Sequence, residues 1–162
     1  MRSDVGPSLS DATTDDAEAL TTLLLRSRTR AMPWLASPHD EASTRWWVEH
    51  VLVADQHVRV ALNDDRLLGF AAVEGDWLTQ LYVDPDHQTD GVGRALLDDA
   101  KRRRPDGLRL HVFARNTRAR RFYEAAGFVL VGRSDGHDNE EHEPDCTYAW
   151  TGSAPTSPAP PG

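Results

Sequence analysis

The sequence predicts an α/β domain, a mixed sheet flanked by helices. Three observations carry that expectation. Apolar residues recur at helical spacing through the opening segments. From His57 the period drops to two over three successive segments. A strand, a helix and another strand then follow in order, which implies a right-handed crossover between parallel strands. At 162 residues the chain is long enough for one domain with a sizeable core and short for two.

The expected folded unit runs from Asp11 to Trp150, with no internal repeat. Residues 1–10 carry no pattern and are expected to be a flexible N-terminus. Residues 151–162, TGSAPTSPAPPG, are all Pro, Gly, Ala, Ser and Thr. Such a segment has nothing to bury against the entropy of ordering, so a disordered tail is expected. In TTDDAEALTTLLLRSR, Ala17, Leu20, Leu23 and Leu24 fall at helical spacing behind Asp15 and Asp16, a pair that suits a helix N-terminus. MPWLASPHDE, with two prolines, reads as a loop leading to a second helix on which Trp46, Trp47, His50 and Val51 share a face. Val58, Val60 and Leu62 then alternate, NDDR turns the chain, and LLGFAAVE and WLTQLYV follow across Gly75 and Asp76, so an antiparallel meander of three strands is expected. After Val83 come a glycine turn and a helix that ends near Pro105, Asp106 and Gly107. LRLHVF alternates again. NTRARRFYEAAGF is a helix that Asn116 can cap and Gly127 can end, with Ala119, Phe122, Tyr123 and Ala126 on one face. FVLVGR and CTYAW, joined by an acidic loop, close the sheet.

Composition narrows the partners. Twenty-six acidic side chains against 18 basic ones give a formal charge of −8. That balance disfavours non-specific attraction to nucleic acid or to an anionic membrane and suits a small cationic partner. Cys146 is the single cysteine, so no internal disulfide can form and a reducing cytoplasm is the simplest setting. No apolar run approaches the roughly 20 residues of a membrane span, and MRSDVGPSLSD lacks the apolar core of a signal peptide. A homodimer is left open. HDNEEHEPD contains metal-ligand residue types, but the spacing of His137 and His142 matches no helical pair or known cage. Cys146, alternating with Tyr148 and Trp150, is expected to pack rather than act as a nucleophile.

The segment HQTDGVGRALLDDA puts two glycines one residue apart where a strand ends and a helix begins, a place where unpaired main-chain N–H groups favour phosphate. A phosphate loop of the nucleotide-hydrolase type would need Gly, Lys and Ser or Thr in succession, whereas Gly93 is followed by Arg94 and Ala95. A dinucleotide fold would place a third glycine where Leu96 stands and would begin with a strand-helix-strand unit rather than a meander. Gln88, Gly91 and Gly93 are instead spaced as in a known family's pattern, which the stretch resembles: Gln or Arg, two residues, Gly, one residue, then Gly or Ala. The stretch LYVDPDHQTDGVGRALLDDA resembles the acetyl-coenzyme A signature of the GNAT N-acetyltransferases, and NTRARRFYEAAGF resembles that family's second block. Thr89 and Asp90 depart from the small or basic residues common in the family.

The resemblance implies the GNAT fold: a mixed, mostly antiparallel sheet of roughly six to seven strands with about four helices, and a splayed parallel pair holding acetyl-CoA. It implies a pyrophosphate on the main-chain amides of Gln88, Thr89, Asp90, Gly91, Val92, Gly93 and Arg94. A pantetheine arm would lie along Leu81, Tyr82 and Val83, touched by Asn116 from across the gap. Leu81 or Tyr82 would offer an N–H to the thioester oxygen. Tyr123 matches the family's general-acid tyrosine, a donor for the departing thiolate. An alkylammonium has a pKa near 10.4, so a base is also needed. The glutamate that the family often carries on its fourth strand is missing from WLTQLYV, which leaves Glu74, Glu140 and Glu141. Trp34, His39, Trp46 and Trp47 could wall an acceptor pocket, with Asp138, Glu140 and Glu141 attracting an amine. The expected activity is transfer of an acetyl group from acetyl-CoA to the primary amine of a small cationic acceptor by direct attack. The rival expectation is a non-catalytic module that senses acyl-CoA.

Overall fold

The computed structural model of the chain describes residues 7–35, 40–87, 91–137 and 139–152. Seven strands form one mixed sheet: β1 (Ser8–Asp11), β2 (His57–Asn63), β3 (Arg66–Glu74), β4 (Trp77–Val83), β5 (Leu108–Phe113), β6 (Val129–Ser134) and β7 (Asp145–Trp150). Their spatial order is β1-β2-β3-β4-β5-β7-β6, and among the described residues the only parallel neighbours are β4 and β5. The helices are α1 (Ala17–Ala31), α2 (Glu41–Trp47), α3 (Val53–Asp55), α4 (Val92–Arg103) and α5 (Thr117–Ala125). A π-helical turn, Val48–Leu52, makes α2 and α3 one continuous run.

Two apolar clusters cover opposite faces of the sheet. One joins α4 and α5 to the sheet through Leu96, Leu97, Leu110, Phe128 and Tyr148. The other joins α1 and the α2–α3 run to β2 and β3 through Leu20, Leu24, Val48, Leu52 and Phe70. Alternate residues of β3 feed the two clusters, so this central strand is buried on both sides. Ala17, Leu20, Leu23 and Leu24 of α1 are buried, as their spacing predicts. On the second helix the buried residues are Val48 and Leu52, not the expected Trp46 to Val51 face. The π turn adds a residue to one turn and so rotates the apolar face. Trp46 is left 59% exposed, stacked on His50.

Ser8 to Ser10 of β1 fall in the expected flexible N-terminus, and Asp11 in the expected folded unit. Only Leu9 is apolar in SLSD, so no alternation announces the strand. It is an edge strand held by main-chain pairing of Ser8 with Leu62 through Asp11 with Arg59. Of the expected tail, residues 153–162 lie outside the described residues, as do His39, Gln88, Thr89, Asp90 and Asp138. Among the described residues no helix is long and apolar enough to cross a membrane.

Two local features position the site. At Thr79 the register between β3 and β4 slips, with Val73 opposite Leu78 and Ala72 opposite Gln80. Thr79 Oγ1 fills the slip by donating to the Ala72 carbonyl, and it also bonds the Gln56 side chain. A bulge bends its strand, and here β4 leaves β5 after a single registered pair, Trp77 with Arg109. The second feature is Gly69 on β3. A Cβ there would stand 2.8 Å from the Tyr82 carbonyl and 3.2 Å from both Val92 and Leu96. Its absence lets the first turns of α4 lie close against the sheet.

Candidate active site

Beyond Trp77 the splayed strands leave a cleft of about 600 Å³, lined by Leu81, Tyr82, Val83, Gly93, Asn116 and Tyr123 among others. Those six come from three separate segments. Strand alternation decides which main-chain groups face the cleft. The Asp84 N–H donates to the Leu68 carbonyl of β3 at 2.7 Å, so Tyr82, two residues earlier, also turns its N–H and C=O toward β3. Leu81 and Val83 turn theirs toward the cleft. Of the two residues expected to offer the oxyanion donor, Leu81 turns its amide toward the cleft, whereas the amide of Tyr82 belongs to the β3 ladder. The Val83 carbonyl already accepts from the Ser27 hydroxyl of α1 at 2.9 Å.

Gly91 is the N-cap of α4 with φ +78°, a left-handed conformation that glycine adopts without the Cβ penalty. The first helical bond of α4 runs from the Ala95 N–H to the Gly91 carbonyl. The amides of Val92, Gly93 and Arg94 thus precede the ladder and sit at the positive end of the helix dipole. The side chain of Val92 is core, and that of Arg94 pairs with Asp98 at 3.3 Å.

Asn116 caps α5 by accepting from the Ala119 N–H at 3.2 Å. Further along, Arg120 Nε donates to the Tyr148 hydroxyl, which donates to Glu124 at 2.6 Å. Lys101 Nζ holds the Ala126 carbonyl at the C-terminal end. These contacts fix the helix that carries Tyr123. That side chain is buried, and its hydroxyl has no hydrogen-bond partner among the described residues. No sealed side-chain polar atom among them lacks a partner, so the hydroxyl opens to the cleft. Burial, aided by the nearby Tyr82, pushes its pKa well above that of a free phenol.

A second cavity, of about 740 Å³, lies on the α1 and α2 side of β4. Trp46, Trp47, Gln80, Arg28, Glu140 and Glu141 contribute to its wall. Arg28 Nη2 donates to Glu141 Oε2 at 2.9 Å. Tyr82 stands between the two spaces. It lines the first, and its hydroxyl, raised in pKa by burial, is influenced by Arg28 and Glu141 of the second.

Two expected site residues are elsewhere. Glu74 is exposed at the β3–β4 hairpin, opposite Trp77, at the closed end of the splay, and it lines neither cavity. Trp34 packs edge-on against Phe113 under Arg115, whose guanidinium lies 4.3 Å from the indole centre, and it too is absent from the second cavity. The structure also adds residues that spacing could not single out. Ser27 and Arg28 reach the site through partners far away in sequence, Val83 and Glu141, and Gln80 lines the second cavity from β4.

A family model described as the acetyltransferase (GNAT) domain matches residues 49–130. The chain belongs to the GNAT acetyltransferase family. It is 35% identical over 95 residues to peptidyl-lysine N-acetyltransferase YjaB of Escherichia coli K12, a match over 58% of this chain and 64% of that protein. The matched stretch is thus a little under two thirds of YjaB. Peptidyl-lysine N-acetyltransferase YiaC of the same organism is 34% identical over 108 residues, covering 60% of this chain and 73% of YiaC. The solution structure of apo YjaB from E. coli superposes with a TM-score of 0.73 at 27% identity, over 92% of this chain and 100% of that one.

Proposed function

We propose that this protein transfers an acetyl group from acetyl-CoA to the primary amine of a lysine-like side chain, free or within a peptide. One observation carries the proposal: adjacent residues of β4, Gln80 and Leu81, line two different cavities. A donor held in one and an acceptor held in the other would meet at that strand. The names of YjaB and YiaC favour a peptide-borne lysine, and the acidic balance of the chain favours a cation.

The cleft fits the coenzyme. Amides of Val92, Gly93 and Arg94 suit a diphosphate, and the outward main-chain groups of Leu81 and Val83 suit the amides of an extended arm. When bound, the coenzyme supplies a thioester, an acyl group already activated toward amines. The Leu81 N–H would stabilise negative charge on the carbonyl oxygen. Asn116 keeps its side-chain NH2 for the arm, because its Oδ1 caps α5.

Tyr123 would donate a hydrogen bond to the departing sulfur. A thiol has a pKa of about 8.5, below that of this buried phenol, so stabilisation rather than complete proton transfer is its part. On the acceptor side, Glu141 gives one oxygen to Arg28 and keeps Oε1 for the ammonium, with Glu140 adding negative charge nearby. Proton removal to solvent would pass this way. Trp46 and Trp47 would pack on the alkyl stem.

The test is thiol release from acetyl-CoA with a panel of lysine peptides, free lysine, polyamines and amino sugars, comparing the native chain with Tyr123→Phe. Release with at least one amine, strongly reduced in the variant, is expected. Tight coenzyme binding without release for any amine would replace the enzyme by an acyl-CoA sensor.

A further inference from the structure

Far from both cavities, beyond the C-terminal end of α4, basic side chains from two elements converge on a pocket of about 230 Å³. His57 and Arg59 come from β2, Arg103 from the last turn of α4, and Arg104 from the residue after it; Ala71, Val73 and Ala100 give an apolar floor, and the Asp99 carboxylate of α4 also lines the pocket. Two aspartates hold the cluster together. Arg59 donates through Nε to Asp99 Oδ2 at 3.2 Å and through Nη1 to Asp11 Oδ1 at 3.1 Å. Arg103 Nε donates to the same Asp99 oxygen at 3.2 Å, and Arg102 lies 4.0 Å from its other oxygen. His57 Nε2 bonds Asp11 at 2.9 Å.

The charges do not balance. Arg59, Arg103 and Arg104 line the pocket with Asp99, and Asp11 holds Arg59 beside it, an excess of one positive charge before His57 is counted, in a chain whose net charge is −8. Donors are left over as well. Among the described residues, Arg59 and Arg103 each keep an Nη2 group that makes no hydrogen bond, and Arg104, whose charge reaches Asp76, makes no ion pair or side-chain hydrogen bond. Arg59 is largely buried, with its side chain 17% exposed, so the two aspartates hold it in place instead of letting it swing into solvent. Guanidinium forks held in this way suit an oxyanion. Set against about 30 Å³ per water, the pocket has room for a phosphate-sized ion.

We propose that this pocket binds a small free oxyanion, a phosphate or a compact dicarboxylate. The site lies one helix length, about 18 Å, from the glycine loop, and it does not depend on the acetyltransferase reading. Amide NMR of the full chain, titrated with inorganic phosphate or with malonate at constant ionic strength against chloride, tests it. Expected are saturable shifts at Arg59, Ala71 and Arg103, with the tighter of the two probes naming the oxyanion. Arg104→Gln should weaken binding about tenfold, the cost of one charge-assisted contact. Arg104 is exposed and unpaired, so this variant should fold, and an unchanged thermal midpoint in chloride would establish that. Shifts that fail to saturate with both probes, shifts confined to residues 91–94, or affinity unmoved by Arg104→Gln would each overturn the proposal.

Discussion

Tyr123 lies against the apolar core with its hydroxyl open to the cleft, and its raised pKa keeps the phenol protonated through the neutral and mildly alkaline range. Tyr123→Phe should therefore lower kcat by about 10²-fold or more, the usual scale for losing one hydrogen-bond donor to charge that develops in the transition state, while coenzyme affinity by calorimetry stays nearly unchanged. The alkaline limb of the native rate profile should not report this tyrosine. Glu141→Gln should raise KM for a cationic acceptor by about tenfold, in line with losing one charge-assisted contact, and should leave KM for the coenzyme alone. Steady-state kinetics with each substrate varied separates the two. Tyr123, Asn116 and the two glycines were legible because motif and helix spacing mark them locally. Arg28 was not, since its partner Glu141 is 113 residues away. Glu74 and Trp34 lie outside the two cavities, which residue type alone could not say because it does not fix the side of a hairpin or loop on which a side chain ends.

The splay between β4 and β5 is a property of elements, and the bulge at Thr79 together with the close seat of α4 on Gly69 produces it. Gly69→Ala should force α4 away from the sheet and cost about 1–3 kcal/mol, the range for overpacking a core. Coenzyme affinity should fall with it, because the amides of Val92 to Arg94 move. Urea unfolding and a coenzyme titration on the same variant would check both halves. The meander, the crossover and the capped α5 could be read from periodicity. The strand β1 could not, having one apolar residue, and the π turn defeated the assumption of a 3.6-residue period on the second helix. The slip at Thr79 leaves no mark in WLTQLYV, where it depends on pairing with β3.

At the scale of the whole molecule, the site is stitched to the fold by buried charge. Burial alone would raise the pKa of Asp84, but the Asp86 N–H, Arg26 and Arg66 outweigh it and bring it below the ordinary carboxylate value. A depressed folded-state pKa contributes stability that is complete above the unfolded value of about 3.9 and is lost as the pH falls through the folded one. Thermal midpoints of the native chain should therefore drop below about pH 4 more steeply than those of Asp84→Asn, which starts lower and lacks this titration. The same residue anchors the turn after β4 that leads to the glycine loop, so acid should loosen the cleft along with the fold. A crystal structure with coenzyme A bound tests the central claim most directly. The diphosphate should lie against the amides of Val92, Gly93 and Arg94, the arm between β4 and β5, and the sulfur beside the Tyr123 hydroxyl. Coenzyme bound anywhere else, or a cleft closed by the protein's own side chains, would contradict the account.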